Sequence, residues 1–160
     1  MKEPAKTNAM RRLDAAGIPY GTAAYEVYED DLSGEAVARK IGLSPDEVFK
    51  TLVLRGAGGE IVVACIPVSA EVDRKALAAA AGCKSLDLLP LKELLPVTGY
   101  VRGGCSPVGM RRPYPTFLDE TAVLFDRIAV SAGVRGLQLL VRPDDLAAFV
   151  DARFAAIAVS

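Results

Sequence analysis

The sequence predicts an α+β fold: a curved, mixed and mostly antiparallel sheet, or a β-barrel, packed with helices. Three observations carry that expectation. Two nearly all-apolar runs, Phe49–Leu54 and Ile61–Ile66, flank a Gly58-Gly59 turn and read as a hairpin. A second pair, Ile128–Ser131 and Leu137–Val141, repeats this around Ala132-Gly133. Between them lie short segments of helical period with capping or glycine ends, and hairpin-paired strands interspersed with helices describe α+β.

In chain order, Thr7–Ala16 has Met10, Leu13 and Ala16 on one side and Arg11, Arg12 and Asp14 on the other, which predicts a helix stopped by Gly17. After the Ile18-Pro19 connector, Tyr20–Tyr28 reads as a strand. Glu29-Asp30-Asp31 reads as a solvated turn, and Ser33–Ile41 as a short helix with Ala36, Val37 and Ile41 inward and Gly42 at its end. Ser44-Pro45-Asp46-Glu47 predicts a further helix start, with Ser44 as cap and Glu47 closing a capping box. Asp73–Ala81 is an alanine-rich helix capped by Asp73 and stopped by Gly82. Ser85–Leu88 reads as a short strand, and Pro90–Leu95 as a short helix closed by Pro96. Thr116–Leu118 reads as a strand, while Ala122–Phe125 fits neither period. Pro143-Asp144-Asp145 opens a last helix through Val150, and Phe154–Val159 reads as a final strand.

At 160 residues and 51% hydrophobic content, the chain is expected to form one domain with a single core over residues 1–160. No apolar run approaches the roughly 20 residues of a membrane span, and no secretory signal is visible, so a cytoplasmic protein without membrane contact is the expectation. The three cysteines, Cys65, Cys83 and Cys105, include no CxxC pair, which speaks against a disulfide framework or a cysteine zinc site. There is no histidine. That removes Ser-His-Asp and Cys-His catalysis and histidine-ligated metals, leaving Lys, Tyr, carboxylates, backbone amides, water or groups of the substrate itself. A net charge of −1 is far from the basic excess of a duplex-binding protein, so no DNA partner is expected, and any nucleic acid is held by a short end or with a partner's help.

The densest run of backbone-special residues is Thr98–Asp119, with Gly103, Gly104, Pro107 and Gly109 flanked by Arg102, Arg111 and Arg112. Such a loop can turn its amides toward one spot as a donor site for an anion or carbonyl oxygen, or be a plain surface turn. Upstream, Lys50 shares a strand face with Val48, Leu52 and Leu54. A lysine there either snorkels from the strand end or serves a site.

Phe-Lys-Thr-Leu-Val at 49–53, Thr-Gly-Tyr-Val-Arg-Gly-Gly-Cys-Ser-Pro-Val-Gly at 98–109, Pro-Thr-Phe-Leu-Asp at 115–119, Val-Ser-Ala-Gly-Val-Arg-Gly-Leu at 130–137 and Asp-Ala-Arg-Phe-Ala-Ala-Ile-Ala at 151–158 occur in that order. Over nearly the whole chain this resembles the YbaK/EbsC family of aminoacyl-tRNA deacylases, which are similar to the editing domain of bacterial prolyl-tRNA synthetases. The resemblance implies trans-editing: hydrolysis of a wrongly attached amino acid, typically cysteine, from tRNA(Pro). It implies the aminoacyl-tRNA 3′ acceptor end as substrate and prolyl-tRNA synthetase as partner, with no cofactor and no metal. Residue by residue, Lys50 matches the family's essential lysine and Gly103 and Gly104 the loop that approaches the acyl group. Cys105 and Ser106 continue that loop and are expected to bind substrate with Gly104, Ser131 matches a pocket serine, and Tyr28 a tyrosine at the mouth. Two positions depart: Ser33 stands where some relatives carry phenylalanine, after a shorter 28–33 segment, and Gln138 where certain members carry aspartate.

With cysteine as the acyl group, the implied mechanism is attack of the substrate's own thiol on its carbonyl. Cys105 is the rival nucleophile; relatives carry an aliphatic residue there, which favours a pocket wall. Other small acyl groups cleaved by water, or a catalytically silent module that binds aminoacyl ends or a synthetase, are the alternative readings.

Overall fold

A computed structural model describes residues 5–160. Helix α1, Asn8–Ala15, begins at Thr7, whose side chain accepts from the Met10 amide, and buries Ala9, Met10 and Leu13 at the predicted spacing. Strand β1, Gly21–Ala24, is shorter than expected. Beyond it only the Tyr25 amide adds one bond, to the Gly136 carbonyl, because the partner strand ends at Leu137 and Gly136 turns away with φ +90°. Helix α2, Gly34–Ile41, runs from a Ser33 cap to a left-handed Gly42; Ala36 and Ala38 are the buried pair, with Val37 and Ile41 partly buried beside them.

The expected helix at Ser44 does not form. The Ser44 amide donates to Glu47 Oε1 and the Glu47 amide to the Ser44 carbonyl, but the segment stops after this one turn. Val48 is drawn into a parallel bridge with Ala129, and strand β2, Phe49–Gly56, starts at the next residue. Strand β3, Ile61–Pro67, returns antiparallel to it across the glycine turn. A two-residue strand β4, Glu71–Val72, precedes helix α3, Arg74–Ala81, which Asp73 caps and Gly82 stops as expected. Strand β5, Leu86–Leu88, then lies on β2.

The predicted helix near Pro90 is displaced. A 3₁₀ turn covers Leu91–Glu93 and helix α4 covers Leu94–Thr98, so Pro96 sits within the helix rather than closing it. Its missing N–H costs nothing in a first turn, where amides lack intrahelical partners. Strand β6, Thr116–Asp119, follows the glycine loop, and Glu120–Leu124 is a 3₁₀ turn. Strands β7, Ile128–Ser131, and β8, Leu137–Val141, form the second hairpin. Helix α5 spans Pro143–Val150, and the expected last strand is two pieces, β9, Arg153–Ala155, and β10, Ala158–Val159.

The strands form a five-stranded mixed sheet ordered β5-β2-β3-β6-β9, a three-stranded antiparallel sheet ordered β1-β8-β7, and the pair β10-β4. Among the described residues parallel pairing is confined to β3–β6, β6–β9 and the Val48–Ala129 bridge. That bridge joins the two larger sheets, with the Ala129 amide on the Glu47 carbonyl and the Val68 amide on the Val48 carbonyl. Strand β3 is apolar throughout because both its faces are covered. Val62, Ala64 and Ile66 pack with Leu77 and Ala78 of α3, whereas Val63 lies with Val53 and Cys105, and Cys65 joins Met10, Leu13 and Leu139.

Candidate active site

Between its two neighbours strand β2 has an open edge. On that edge the Val53 carbonyl accepts from the Leu89 amide and the Glu47 carbonyl from the Ala129 amide. Alternate residues of a strand direct their backbone groups the same way, so Phe49 and Thr51, between these points, aim theirs at the same edge, where no described strand pairs with them. A cavity of about 530 Å³ lies against this edge. It is lined by every residue from Val48 to Val53, because an edge-on hollow meets both faces of a strand.

Four of the seven sequence-predicted residues meet here: Lys50 from β2, Gly103 and Cys105 from the glycine loop, and Ser131 from the end of β7. Lys50 is half-buried. Ser131 is held by its hairpin, its Oγ accepting from the Gly133 amide at 3.1 Å, which leaves the hydroxyl proton available to a ligand.

Gly103 adopts φ +85°, and a Cβ there would stand 3.2 Å from Arg135 Nε. Glycine therefore meets two demands at once, a left-handed backbone and close approach of a side chain. The other three predicted residues lie elsewhere. Gly104 closes a turn, its amide donating to the Val101 carbonyl at 3.0 Å, so of the two glycine amides only that of Gly103 is without an acceptor among the described residues. Ser106 is fully buried beneath the loop, where its Oγ accepts from the Val108 amide. It braces the loop and does not face the cavity. Tyr28 is 53% exposed outside the lining, its hydroxyl donating to Glu26 and its ring carrying the Lys40 ammonium 4.8 Å from the centroid. The Glu26 carboxylate raises the Tyr28 pKa above the ordinary phenol value.

Cys105 is 9% exposed, and burial pushes its thiol up to about 12, with the neighbouring Cys65 adding to the shift. It is a protonated thiol near neutrality, unsuited to nucleophilic attack.

Lys40, Arg135 and Asp31 also line the cavity, and nothing local in the sequence marks Lys40 or Asp31 as a site group. Lys40 donates to the Glu26 carbonyl at 2.9 Å. Arg135 donates through Nε to the Arg102 carbonyl at 2.7 Å and pairs with Glu29, pinning the glycine loop to the β7–β8 turn. It lies inside the 130–137 motif, two residues before Leu137, where the chain itself carries a signal for it. Asp31, the lining carboxylate, is held by Ser33 and Arg39. Among the described residues no group of three or more His, Cys, Asp or Glu side chains could hold a metal ion.

Comparison with known proteins gives a consistent likeness. Residues 31–149 match the model of the aminoacyl-tRNA editing domain. The chain is 44% identical over 156 residues to the Enterococcus faecalis protein named "Putative Cys-tRNA(Pro)/Cys-tRNA(Cys) deacylase EbsC", covering 98% of this chain and 95% of that one. It is 29% identical over 115 residues to Bacillus subtilis YwhH, covering 72% and 73%. Among solved structures it resembles one described as a "putative trans-editing enzyme for prolyl tRNA synthetase", with TM-score 0.83 and 20% identity over 98% of this chain and 100% of that one; at that identity the likeness concerns the fold.

Proposed function

This chain belongs to the aminoacyl-tRNA editing domain family, and from that premise we propose that it is a trans-editing deacylase that removes a wrongly attached amino acid from tRNA, cysteine on tRNA(Pro) foremost. The observation that carries the reading is the 530 Å³ cavity shared by Lys50, the open edge of β2 and the glycine loop. Its relative at 44% identity is named for that ester.

The bond to be cut joins an acyl carbonyl to a ribose oxygen of the terminal nucleotide. In Cys-tRNA the substrate's Sγ lies within reach of its own carbonyl carbon. Its attack forms a C–S bond and closes a thiolactone; the C–O bond to the ribose breaks, and the thiol proton passes to the departing oxygen. Folding the acyl group in the cavity supplies the proximity that such a step exploits. No protein nucleophile is needed, in keeping with a chain that has no histidine. The Gly103 amide is the donor for charge developing on the carbonyl oxygen, and one such donor contributes about 3 kcal/mol in the transition state. Lys50 supplies positive charge for the ribose or terminal phosphate oxygens and for the leaving oxygen. Ser131 and the wall of Cys105 shape the acyl site, with Tyr28 at its mouth.

Purified protein presented with Cys-, Ser-, Ala- and Pro-tRNA(Pro) is expected to release cysteine fastest and to spare proline. Failure to cleave any of these esters overturns the reading. Faster release of serine or alanine than of cysteine transfers the attack to water and retains only the deacylase. Prolyl-tRNA synthetase is the proposed partner. A net charge of −1 leaves little general attraction for tRNA, so selectivity is expected to come from a handoff. Addition of the synthetase should raise the rate at low tRNA concentration.

A further inference from the structure

Gln138 lines the cavity from β8, directly opposite Ser131 in the hairpin register. It is 5% exposed, and its carboxamide oxygen has no hydrogen-bond donor among the described residues. A buried carbonyl without a donor is costly, and a native fold that retains one beside an open cavity has left it for something that arrives. The side chain has enough rotatable bonds to swing that oxygen toward the cavity when a donor enters.

The charges of the lining narrow the choice of donor. Lys40, Lys50, Arg102 and Arg135 are cationic, whereas Asp31 is already held by Ser33 and Arg39. The remaining titratable groups of the wall are Tyr25 and Cys105, and the Cys105 thiol stays protonated. A cationic ligand group therefore finds repulsion and no free carboxylate, but an N–H finds a neutral acceptor. Every candidate acyl group brings one N–H-bearing group whatever its side chain, the α-amino group, and it is the group fixed next to the carbonyl that must sit in this cavity.

We infer that Gln138 is the residue that reads the α-amino group of the aminoacyl ester, accepting a hydrogen bond from its nitrogen and admitting it in the uncharged form. The inference rests on the deacylase reading above and adds to it where the amine sits and in which protonation state. An α-amino group titrates at about 8 or below. The wild-type kcat/KM should accordingly rise with pH through roughly 7–8, after subtraction of the uncatalysed rate. An aspartate at this position would pair with the ammonium, so the ratio of Q138D to wild-type kcat/KM should be larger at pH 6 than at pH 8.5.

The test uses the full chain and Cys-, Ser- and Ala-tRNA(Pro). Gln138→Leu is expected to lower kcat/KM by about tenfold for all three acyl groups alike, the loss of one hydrogen bond to a shared group. Its Tm should be unchanged or higher, because the unpaired carbonyl is gone. A merely structural glutamine would give the reverse pattern. Loss for serine and cysteine but not alanine would assign Gln138 to the side chain and overturn the inference. So would an unchanged Gln138→Leu rate, or a Q138D-to-wild-type ratio independent of pH. If Gln138→Leu folds poorly, the Q138D ratio decides alone. A wild type that cleaves none of the esters sinks the deacylase reading itself; an active wild type with indifferent variants sinks only the role of Gln138.

Discussion

Lys50 and Cys105 line the same cavity and differ in the chemistry left to them. Lys50→Ala removes the cation that β2 itself brings to the cavity and is expected to lower kcat/KM by roughly 10²-fold or more, the scale of a lost transition-state contact. Deacylation of Cys-tRNA(Pro) measures it, with wild-type Tm as the control for folding. Cys105 presents a wall, since burial holds its thiol up to about 12. Cys105→Ala should keep the rate within about threefold while costing some stability from lost packing. If the alanine variant were inactive and Lys50→Ala active, the roles would be exchanged. The same residues show how much of the site was readable in the chain. Lys50 stands out in the chain as an amine in an apolar strand, and Gly103 and Gly104 as permissive points of a glycine-rich loop, without a sign of which of the two keeps a free amide. Ser106 belongs to the same loop motif, but a serine two residues after a glycine pair carries no sign of the direction in which its hydroxyl points, and here it turns inward to the Val108 amide. Along the chain Gln138 shows only as a departure from an acidic position; its missing donor is a property of three dimensions.

Single segments show the balance between local signal and neighbours. Ser44–Glu47 carries a helix-start pattern and forms its local hydrogen bonds, yet yields to the sheet because Val48 is required at the junction with Ala129. Strand β6 ends at Asp119, which is buried at 2% exposure and accepts three bonds. The Ile157 amide and the Thr121 amide donate at 3.0 and 3.3 Å, and the Thr121 hydroxyl at 2.6 Å. This carboxylate ties the strand, the 3₁₀ turn and the chain's last segment together, which explains why the final strand breaks into β9 and β10. Asp119→Ala leaves these donors unmet and should destabilise the fold by about 2–4 kcal/mol in urea unfolding. Asp119→Asn retains an acceptor for Ile157 and should lose less. Equal stability of wild type and Asp119→Ala would show that water satisfies the site.

For the molecule as a whole, buried thiols couple stability to alkaline pH. Cys65 and Cys105 are both raised from 9.0 to about 12, chiefly by burial. Their folded pKa values lie above the unfolded ones, so the contribution is fully present below about pH 9 and is lost as pH rises toward 12. Tyr100, raised mainly by burial, acts in the same direction. Thermal melts should show Tm falling above pH 9, and Cys105→Ala should fall less steeply. Identical slopes would mean that the thiols do not control this limb.

The sequence by itself determined the hairpins, the capped helices and the class of chemistry left to a chain without histidine. These follow from alternation, turn residues and composition, which act over a few neighbouring residues. Only the tertiary structure decided where β2 is left unpaired, which loop amides remain open, and which polar side chain faces the cavity without a donor. Those are consequences of how separate segments meet, and a pattern of neighbours along the chain holds no record of what stands across the gap.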